Sequence, residues 1–375
     1  MQEIKLALVL SGGSIRGAAH VGAIKTLERY NLIPDVIAGT SAGSIVGGLY
    51  GAGASIAKIE AIFLRHLDRT LFLDTDCAGI IKSVLTLNPR YFKGLYLGRK
   101  FAALVNRNLK MIRDSADFGR AETGSIIRPT LLSAVNLADG QETIFAPPSV
   151  APRGEFRICT KQTLDFAIHC SCAIPGTFVP VVCDTRPGCP CDGKGRQYYV
   201  DGGVRDMYPI TLPVRLMGAK HIIGVNLGYA GMREDIWRNG PAEYFGHVID
   251  IMGNDQEEAD YMDYEVRRAQ VLTVNPLIYD VGAFEAQYIP ALIERGGKIM
   301  EECLRRQGLT PGAGRETNLA RLFPRGRALI RYPAKGSREF DYWLKHPIKI
   351  GNSPPRPLSF VKERGKKAGC MLGVG

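Results

Sequence analysis

The stretch Ile37-Ala38-Gly39-Thr40-Ser41-Ala42-Gly43-Ser44 runs from a short apolar segment through Gly-x-Ser-x-Gly into a series of small residues. This pattern predicts a strand, a sharp turn at Ser41 and a helix. Glycines on both sides of Ser41 allow a strained turn that presents the hydroxyl beyond the end of the strand. The helix would direct the positive end of its dipole toward that hydroxyl. The sequence therefore predicts a nucleophilic serine, although a Gly/Ser-rich loop without chemistry has the same pattern.

The residues before this stretch complete a β-α-β unit. Residues Ile4–Leu10 form an apolar run that predicts a strand buried on both faces. Residues Ala18–Tyr30 predict a helix with one apolar stripe, and Val36–Ala38 predict the second strand. A right-handed crossover would bring the intervening loop, Ser11–Gly17, and Ser41 to the carboxyl ends of neighbouring strands.

That loop has a rival interpretation as a dinucleotide-binding fingerprint. Its glycines, Gly12, Gly13 and Gly17, do not follow the G-x-G-x-x-G order, and no acidic residue ends the second strand. The spacing therefore disfavours nucleotide binding. The amides of Gly13 and Ser14 beside Ser41 would instead form an oxyanion hole for acyl transfer.

The composition is that of an ordinary globular protein: 375 residues, 45% hydrophobic and 23% charged. No apolar run approaches the roughly 20 residues that a transmembrane helix requires, and the N-terminus shows no signal-peptide pattern. We therefore expect a cytoplasmic protein or one peripheral at a membrane. The nine cysteines are an odd number and mostly scattered singly, which favours reduced thiols over a disulfide framework.

The net charge of +11 is concentrated near the C-terminus. Residues 311–375 hold 14 Lys and Arg against 4 Asp and Glu, a balance of +10, so the preceding 310 residues are nearly neutral. The same segment is rich in Pro and Gly, which predicts a basic, partly disordered extension after a domain at residues 1–310. Charge alone does not choose between anionic lipid, nucleic acid and an acidic protein as its partner.

Two segments inside the predicted domain have open interpretations. Residues 56–117 predict amphipathic helices, which suit a lid or an interface-binding surface as well as ordinary core-covering helices. The loop at residues 184–196 carries Cys189 and Cys191, which with Cys183 give a C-x5-C-x-C spacing. A metal or redox pair could use that spacing, but no clear fourth ligand follows, so we expect an exposed hairpin loop and no metal.

A second candidate catalytic group follows the predicted strand Gln197–Val200. Asp201 stands at its end, directly before Gly202 and Gly203. An aspartate in this context is either a turn former or a carboxylate held against the serine of a neighbouring strand.

Taken together, four blocks in this order resemble the patatin-like phospholipase family. They are Leu8–Gly13 with Arg16–Gly22, Gly39–Gly43, Ser171–Pro180 and Asp201–Gly203. The resemblance covers roughly residues 5–227 and implies an α/β fold with a mostly parallel central sheet flanked by helices. It also implies a serine acyl hydrolase that cleaves fatty-acyl esters of lipids without a cofactor, of the phospholipase A or lysophospholipase type.

The resemblance assigns a role to each matching residue. Ser41 would attack the ester carbonyl and Asp201 would accept its proton, as a dyad. The remaining implied site residues are Gly12, Gly13 and Ser14 as the oxyanion hole and Arg16, Gly17, Gly39, Gly43, Gly202 and Gly203 as supporting loop residues. The sequence departs from the family pattern in two places: Ser14 replaces the usual third glycine, and the residues at 205–209 lack the usual asparagines before the proline.

The residues alone leave a Ser-acid-His triad open. Its candidate bases are His221, His247 and His346, but none lies in a loop-forming, glycine-rich segment. Each is more typical of a structural or surface histidine. A dyad without histidine requires that Asp201 be desolvated and within hydrogen-bonding reach of Ser41.

Alternatives to the phospholipase prediction are a neutral-lipid lipase or esterase and a catalytically weak, membrane-associated regulatory protein that keeps the fold. The expected partners are a phospholipid or other acyl-ester lipid and, through residues 311–375, an anionic membrane surface. A solvated extension that binds nothing is the alternative for that segment. No nucleic acid is expected, and the sequence does not indicate an oligomeric state.

Overall fold

The computed structural model describes residues 5–67, 74–114, 128–150, 156–160, 162–183, 196–228, 248, 251–253, 257–324 and 329–348. Within these ranges the strands are β1 (Ala7–Leu10), β2 (Val36–Thr40), β3 (Thr130–Asn136), β4 (Glu142–Phe145), β5 (Arg157–Cys159), β6 (Val181–Cys183), β7 (Gln197–Asp201), β8 (His221–Val225), β9 (Gln270–Val274) and β10 (Leu329–Tyr332). The α-helices are α1 (Ala18–Arg29), α2 (Ala42–Gly51), α3 (Ile56–His66), α4 (Cys77–Leu85), α5 (Arg99–Asp114), α6 (Leu164–Ser171), α7 (Thr211–Met217), α8 (Tyr264–Arg268), α9 (Ile289–Arg306), α10 (Arg315–Leu322) and α11 (Arg338–Lys345). The predicted cysteine loop at residues 184–196, apart from Arg196, lies outside the described residues.

The strands form one sheet in the order β10-β9-β8-β1-β2-β3-β4-β5. Every neighbouring pair in this row is parallel except β3 with β4. β7 adds antiparallel to β3, and β6 adds antiparallel to β7. The predicted α/β class, with a mostly parallel central sheet flanked by helices, is therefore confirmed.

Side chains of β1 alternate between two apolar layers. Leu8 and Leu10 join the larger layer with residues of α1, α2 and α9. Ala7 and Val9 join the smaller layer with residues of α7 and α8. Burial on both faces explains why this strand reads as an unbroken apolar run instead of an alternating one.

Close contact between α1 and α9 depends on glycine. A Cβ added at Gly22 would lie 1.8 Å from the carbonyl oxygen of Ile293, and one at Gly296 would lie 2.0 Å from that of Ala19. Any side chain at either position would push the two helices apart. This contact fixes α1 and therefore the glycine loop that leads into it.

Two strands, β2 and β7, pair one after the other with the same edge of β3. Thr40, the last residue of β2, pairs with Ser133, while Asp201, the last residue of β7, pairs with the next β3 residue, Ala134. β2 runs parallel to β3 and β7 runs antiparallel to it, so the two strands end against each other. Since successive residues of a strand are only about 3.3 Å apart, the turns that follow β2 and β7 meet at one point.

Residues after position 310 continue the domain, which corrects the predicted boundary. β10 extends the parallel sheet beside β9, and Tyr332 and Trp343 are buried in the larger apolar layer. A four-residue strand among Pro, Gly and Arg does not stand out by composition. The domain therefore extends at least to Lys345. Within the predicted extension, residues 349–375 lie outside the described residues.

The helices predicted over residues 56–117 divide into two kinds. α3 and α5 each bury an apolar face, which fits core-covering helices. α4 buries none of its residues. In the described ranges, no helix is both long enough and apolar enough to cross a membrane.

Candidate active site

Ser41 occupies a strained turn between β2 and α2. Its backbone has φ 51° and ψ −119°, which is unfavourable for a residue with a side chain. A Cβ at Gly39 would lie 2.7 Å from the carbonyl oxygen of Gly43, and one at Gly43 would lie 2.1 Å from that of Leu10. Both glycines are therefore required for the turn to pack against β1, as the Gly-x-Ser-x-Gly pattern predicts.

Hydrogen bonds hold the backbone of Ser41 in this conformation. Its amide donates to Oγ of Ser171 at 2.9 Å. Its carbonyl oxygen accepts from Oγ of Ser44 at 2.6 Å and from Sγ of Cys172 at 3.2 Å. Burial, with a further contribution from the charge of Asp201, raises the pKa of the Cys172 thiol, so this group remains an S–H donor.

Asp201 is buried where β7 ends against β2. Its amide donates to the carbonyl oxygen of Ala173 at 2.9 Å, and its Oδ1 accepts from the amide of Gly203 at 2.8 Å. Oγ1 of Thr40 donates to the carbonyl oxygen of Asp206 at 2.8 Å, which ties the end of β2 to the turn after Asp201. Only 1% of Asp201 is exposed. The register thus places the end of β2, directly before Ser41, next to Asp201, and both residues are buried.

Both glycines after Asp201 are required by close contacts. A Cβ at Gly202 would lie 2.4 Å from the carbonyl oxygen of Ser133, and one at Gly203 would lie 2.6 Å from Cε of Met207. Gly202 therefore allows the turn to stay against β3, on which the meeting of β2 and β7 depends.

The glycine loop lies beside the ends of β2 and β7. One of its backbone amides donates a hydrogen bond within the described structure, whereas two others do not. The amide of Gly12 donates to the carbonyl oxygen of Met207 at 2.9 Å, so it is occupied within the protein. Gly13, with φ 152°, and Ser14, with φ 53°, have unusual backbone conformations, and in the described part of the chain neither amide donates a hydrogen bond. Of the three predicted oxyanion-hole residues, Gly13 and Ser14 thus offer the available donors, while Gly12 gives room for Met207 and Ser41.

Arg16 and Gly17 support this loop from inside the protein. Both the amide and Nε of Arg16 donate to the carbonyl oxygen of Gly13 at 3.1 Å. A Cβ at Gly17 would lie 2.5 Å from Cβ of Ala42. The loop is therefore pressed against the first residue of α2, next to Ser41.

His20, which is buried on α1, stabilises the glycine loop through a hydrogen bond to its first residue, Ser11. Its Nε2 lies 2.9 Å from the carbonyl oxygen of Ser11, and because a carbonyl only accepts, Nε2 carries the proton. Burial lowers the pKa of His20 to about 4. The ring is therefore neutral at neutral pH and acts in positioning the loop.

An apolar cavity of about 580 Å³, including its mouth, opens beside Ser41. Its wall is formed by α2, α3, α5 and α6 together with the glycine loop. The lining residues are Ser14, Ile15, Ser41, Ala42, Ile45, Phe63, Leu67, Gly98, Phe101, His169, Cys172, Ala173, Ile174, Phe178, Ala283 and Phe284. Neither Lys nor Arg occurs among these lining residues, so the cavity suits an uncharged hydrocarbon chain.

The candidate triad bases from the sequence do not lie near Ser41 where the structure describes them. His221 begins β8, at the opposite end of the sheet, and stacks on Phe323 with ring centroids 4.8 Å apart. His346 follows α11 and stacks on Tyr342 at 4.0 Å. His247 lies outside the described residues.

The sequence analysis missed one histidine, His169 on α6, which lines the cavity. Its ring lies 6.4 Å from that of Phe101, and burial lowers its pKa. Its only sequence signal is its position two residues before the Ser171–Pro180 block. Among the described histidines, it is the one that shares the cavity wall with Ser41.

A serine at a strained strand-to-helix turn of a mostly parallel sheet, beside an apolar cavity, is the arrangement of a nucleophile elbow in α/β proteins. A family model described as patatin-like phospholipase matches residues 8–214, more than half of the chain. The chain therefore belongs to the patatin-like phospholipase family.

The alignments with two named relatives cover more than half of this chain but only a small part of each relative. Lysophospholipase NTE1 of Scheffersomyces stipitis is 50% identical over 276 residues, which are 72% of this chain and 15% of that protein. Triacylglycerol lipase 4 of Saccharomyces cerevisiae is 29% identical over 230 residues, 58% of this chain and 24% of that protein. The chain thus spans a quarter or less of the length of these two relatives.

Among solved structures, VipD from Legionella pneumophila matches with a TM-score of 0.40 and 13% identity, over 92% of this chain and 74% of that one. The ExoU–SpcU complex of Pseudomonas aeruginosa matches with a TM-score of 0.34 and 16% identity, over 81% and 52%.

Proposed function

We propose that this chain is a serine acyl hydrolase of the phospholipase A or lysophospholipase type, which cleaves fatty-acyl esters through a Ser41–Asp201 dyad. The observation that carries the proposal is the register on β3, in which the ends of β2 and β7 pair with the consecutive residues Ser133 and Ala134. Two distant segments of the sequence thereby end side by side, and Ser41 of the first also lines the apolar cavity.

The chemistry follows from this arrangement. The Asp201 carboxylate accepts the proton of the Ser41 hydroxyl while Oγ bonds to the ester carbonyl carbon. The amides of Gly13 and Ser14 donate to the resulting oxyanion. When the intermediate collapses, the ester C–O bond breaks and the departing alkoxide takes the proton from Asp201. Water then adds to the acyl-enzyme by the same route, releasing the fatty acid and restoring Ser41.

The cavity supports an acyl chain as the recognised part of the substrate. Its lining offers carbon atoms and few polar groups, and no Lys or Arg among the lining residues is available to bind a phosphate. The headgroup would then lie outside the cavity. The same observation favours a second candidate function, a neutral-lipid lipase, because an acyl chain is common to both substrate classes.

Labelling with a fluorophosphonate probe tests the proposal, since the probe reacts covalently with an activated serine. We expect the wild-type chain to be labelled at Ser41 and the Ser41→Ala variant to remain unlabelled. A panel of phospholipids, lysophospholipids and triacylglycerols then separates the two substrate classes. Failure of Ser41 to label in folded protein would favour the regulatory protein that keeps the fold without turnover.

We also propose that an anionic membrane surface is a partner of the basic C-terminal segment. Of the aromatic residues after position 310, Phe323, Tyr332 and Trp343 are buried, so they are not interfacial anchors. Residues 349–375 retain six Lys and Arg against one Glu, each worth on the order of 1 kcal/mol near anionic lipid. Truncation after Ile348 should weaken sedimentation with anionic vesicles at low salt, whereas a solvated segment predicts no change.

A further inference from the structure

Residues 74–97 form a flap that carries α4 at its tip. The two ends of the flap are joined by backbone hydrogen bonds, from the amide of Asp76 to the carbonyl oxygen of Leu95 at 2.9 Å and from Leu97 to Asp74 at 2.8 Å. Asp76 also begins α4, because its Oδ1 accepts from the amide of Gly79 at 3.1 Å. The flap is thus an ordered structure with a capped helix.

The base of the flap is attached to the cavity wall. The amide of Tyr96 donates to the carbonyl oxygen of Thr177 at 2.9 Å, and that of Val179 donates to Tyr96 at 2.8 Å. Phe178, between these two partners, and Gly98, next to the flap, both line the cavity. The flap therefore projects from the rim of the candidate active site.

The tip of the flap is covered with exposed apolar side chains. Isolated exposed apolar residues are common on protein surfaces, whereas a cluster of them indicates an interaction site. The cluster consists of Ile81, Val84, Leu85, Leu87 and Phe92, which are 42–90% exposed. Because α4 buries none of its residues, packing within the described structure does not account for them.

Leu87 gives the strongest indication that this exposure has a function. It follows the C-cap of α4 with φ 49°, where its amide donates to Val84 and the next amide donates to Ser83. This helix-ending motif favours glycine, and α7 ends with Gly218 at φ 69°. The backbone of Leu87 is strained, and its side chain is 90% exposed. A leucine at this position therefore improves neither the backbone conformation nor the packing of the core.

The charges around the cluster are predominantly positive, with five basic residues against two acidic ones in residues 74–100. Lys82, Arg90, Lys93, Arg99 and Lys100 are all exposed. The two acidic residues of the same stretch are committed to capping, since Asp76 accepts from α4 and Asp74 accepts from the amides of residues 98, 99 and 100 at the start of α5. The surface that remains is apolar at the tip and basic at the sides.

We propose that the tip of this flap inserts into the surface of a lipid bilayer that contains anionic lipids. Aliphatic side chains suit the acyl region, and the flanking Lys and Arg suit anionic headgroups. A partner protein is the less favoured occupant, because the tip offers few hydrogen-bonding groups beyond its basic side chains. The proposed membrane docking is inferred only from the exposed apolar and basic surface of the flap. A further consequence, that a lipid passes from the bilayer into the cavity, rests on the proposed hydrolase function.

The test is sedimentation of the full chain, carrying Ser41→Ala so that no lipid is consumed, with vesicles of phosphatidylcholine with and without phosphatidylserine. Binding is measured at low salt and at about 1 M salt, where the Debye length falls to about 3 Å and the basic C-terminal segment contributes little. We expect Leu85→Ser with Leu87→Gly to lower the partition coefficient at least about tenfold at both salt concentrations. The matched control is Leu137→Ser with Met262→Ser, which alters exposed apolar residues elsewhere and should bind like the parent protein.

Leu87→Gly alone separates docking from folding. Glycine relieves the positive φ, so the variant should melt at the same temperature as the parent or higher while binding vesicles more weakly. Equal binding by the flap variant and its parent would overturn the proposal, as would complete loss of binding at high salt in the parent. Self-association that depends on the flap, without vesicle binding, would show that a second protein chain occupies it. Fluorophosphonate labelling of Ser41 in the otherwise wild-type chain reports separately on the hydrolase function.

Discussion

The candidate active site and the flap at its rim are opposites in what they bury. Around Ser41 and Asp201, polar groups are held out of water, and the backbone amides of both residues donate hydrogen bonds to distant segments. At the tip of the flap, apolar side chains are exposed to water, and α4 buries none of its residues within the described structure. Both regions contain a residue with a strained positive φ, Ser41 at 51° and Leu87 at 49°.

Each region departs from the usual pattern of buried apolar and exposed polar side chains, and each departure suits the function proposed for that region. Burial of polar groups costs free energy of folding, and leucines left exposed forgo the free energy that their burial would contribute. A desolvated carboxylate is a stronger base, while an exposed aliphatic surface can enter a bilayer. Substitutions in the buried region test this difference most directly, and the largest effects are expected at Ser41 and Asp201.

Ser41→Ala and Asp201→Asn should each lower ester hydrolysis by about 10³-fold or more, because the members of a dyad act as one unit. The double variant should be no slower than either single variant within error. Hydrolysis of a short-chain ester measures the loss, and Asp341→Asn on the exposed first turn of α11 is the matched carboxylate control. If Asp201→Asn retained most of its turnover while His169→Ala or His247→Ala lost it, the base would be a histidine.

Gly13→Val should lower turnover by roughly 10²-fold, since a displaced amide no longer reaches the oxyanion. The new Cβ would lie 3.0 Å from the side chain of Leu227, and the φ of 152° is unfavourable for valine. Gly218→Val, which strains a positive-φ position with no neighbour within 4 Å, controls for backbone strain alone. Equal kcat values for the Gly13 variant and the wild type would mean that the loop does not stabilise the oxyanion.

His20 allows the buried interior to be probed by pH. Below pH 6.5 the unfolded chain binds a proton at this residue, while the folded chain does not until about pH 4. The free energy of unfolding contributed by His20 is therefore intact above pH 6.5 and falls as the pH drops toward 4, by about 2 kcal/mol at pH 5. Because burial also raises the pKa of Asp260 to about 7, which acts in the opposite sense, the loss is measured as the difference between wild type and a His20 variant in urea unfolding at pH 7 and pH 5.

His20→Gln should flatten that pH dependence, since glutamine can donate to Ser11 without titrating. His66→Gln, at the exposed end of α3, is the control and should keep the wild-type pH dependence. An unchanged pH dependence in His20→Gln would show that the acid sensitivity arises from other groups.

The resemblance implied the fold class, and the β-α-β pattern agreed with it because β1 and β2 are buried on both faces and read as apolar runs. The sequence identified Ser41 and Asp201 because each lies in a short motif. It did not predict that these residues meet through β3, since that requires an antiparallel strand placed 160 residues after the serine. Nor did it predict that the Gly12 amide bonds to Met207, because a pairing at such sequence separation leaves no local pattern.

Two other errors have the same physical origin. The boundary at residue 310 was wrong because the four residues of β10 are stabilised by β9 and by the core, not by their own composition. His169 was missed because its cavity is formed by four helices from distant parts of the chain. Local sequence encodes the strand and the turn, whereas a cavity is a property of the assembled layers.

The smallest effect that we predict concerns the shape of that cavity. Ile45 lies on α2, one helical turn after Ser41, and its side chain lines the cavity. Ile45→Trp would fill part of the 580 Å³ space while leaving Ser41, Asp201 and the glycine loop unchanged. We expect kcat/KM for long acyl chains to fall about tenfold relative to that for short ones, equivalent to about 1.4 kcal/mol.

Leu64→Trp adds the same ring to the exposed face of α3 and should leave the chain-length preference unchanged. A uniform loss across all chain lengths in Ile45→Trp would mean that the tryptophan disturbs the serine turn itself. No loss for any chain length would mean that the acyl group does not occupy this cavity. A selective loss would show that the apolar wall binds the hydrocarbon chain, which would explain how the acyl chain of a lipid that leaves the apolar interior of a bilayer stays in apolar surroundings up to the reacting bond.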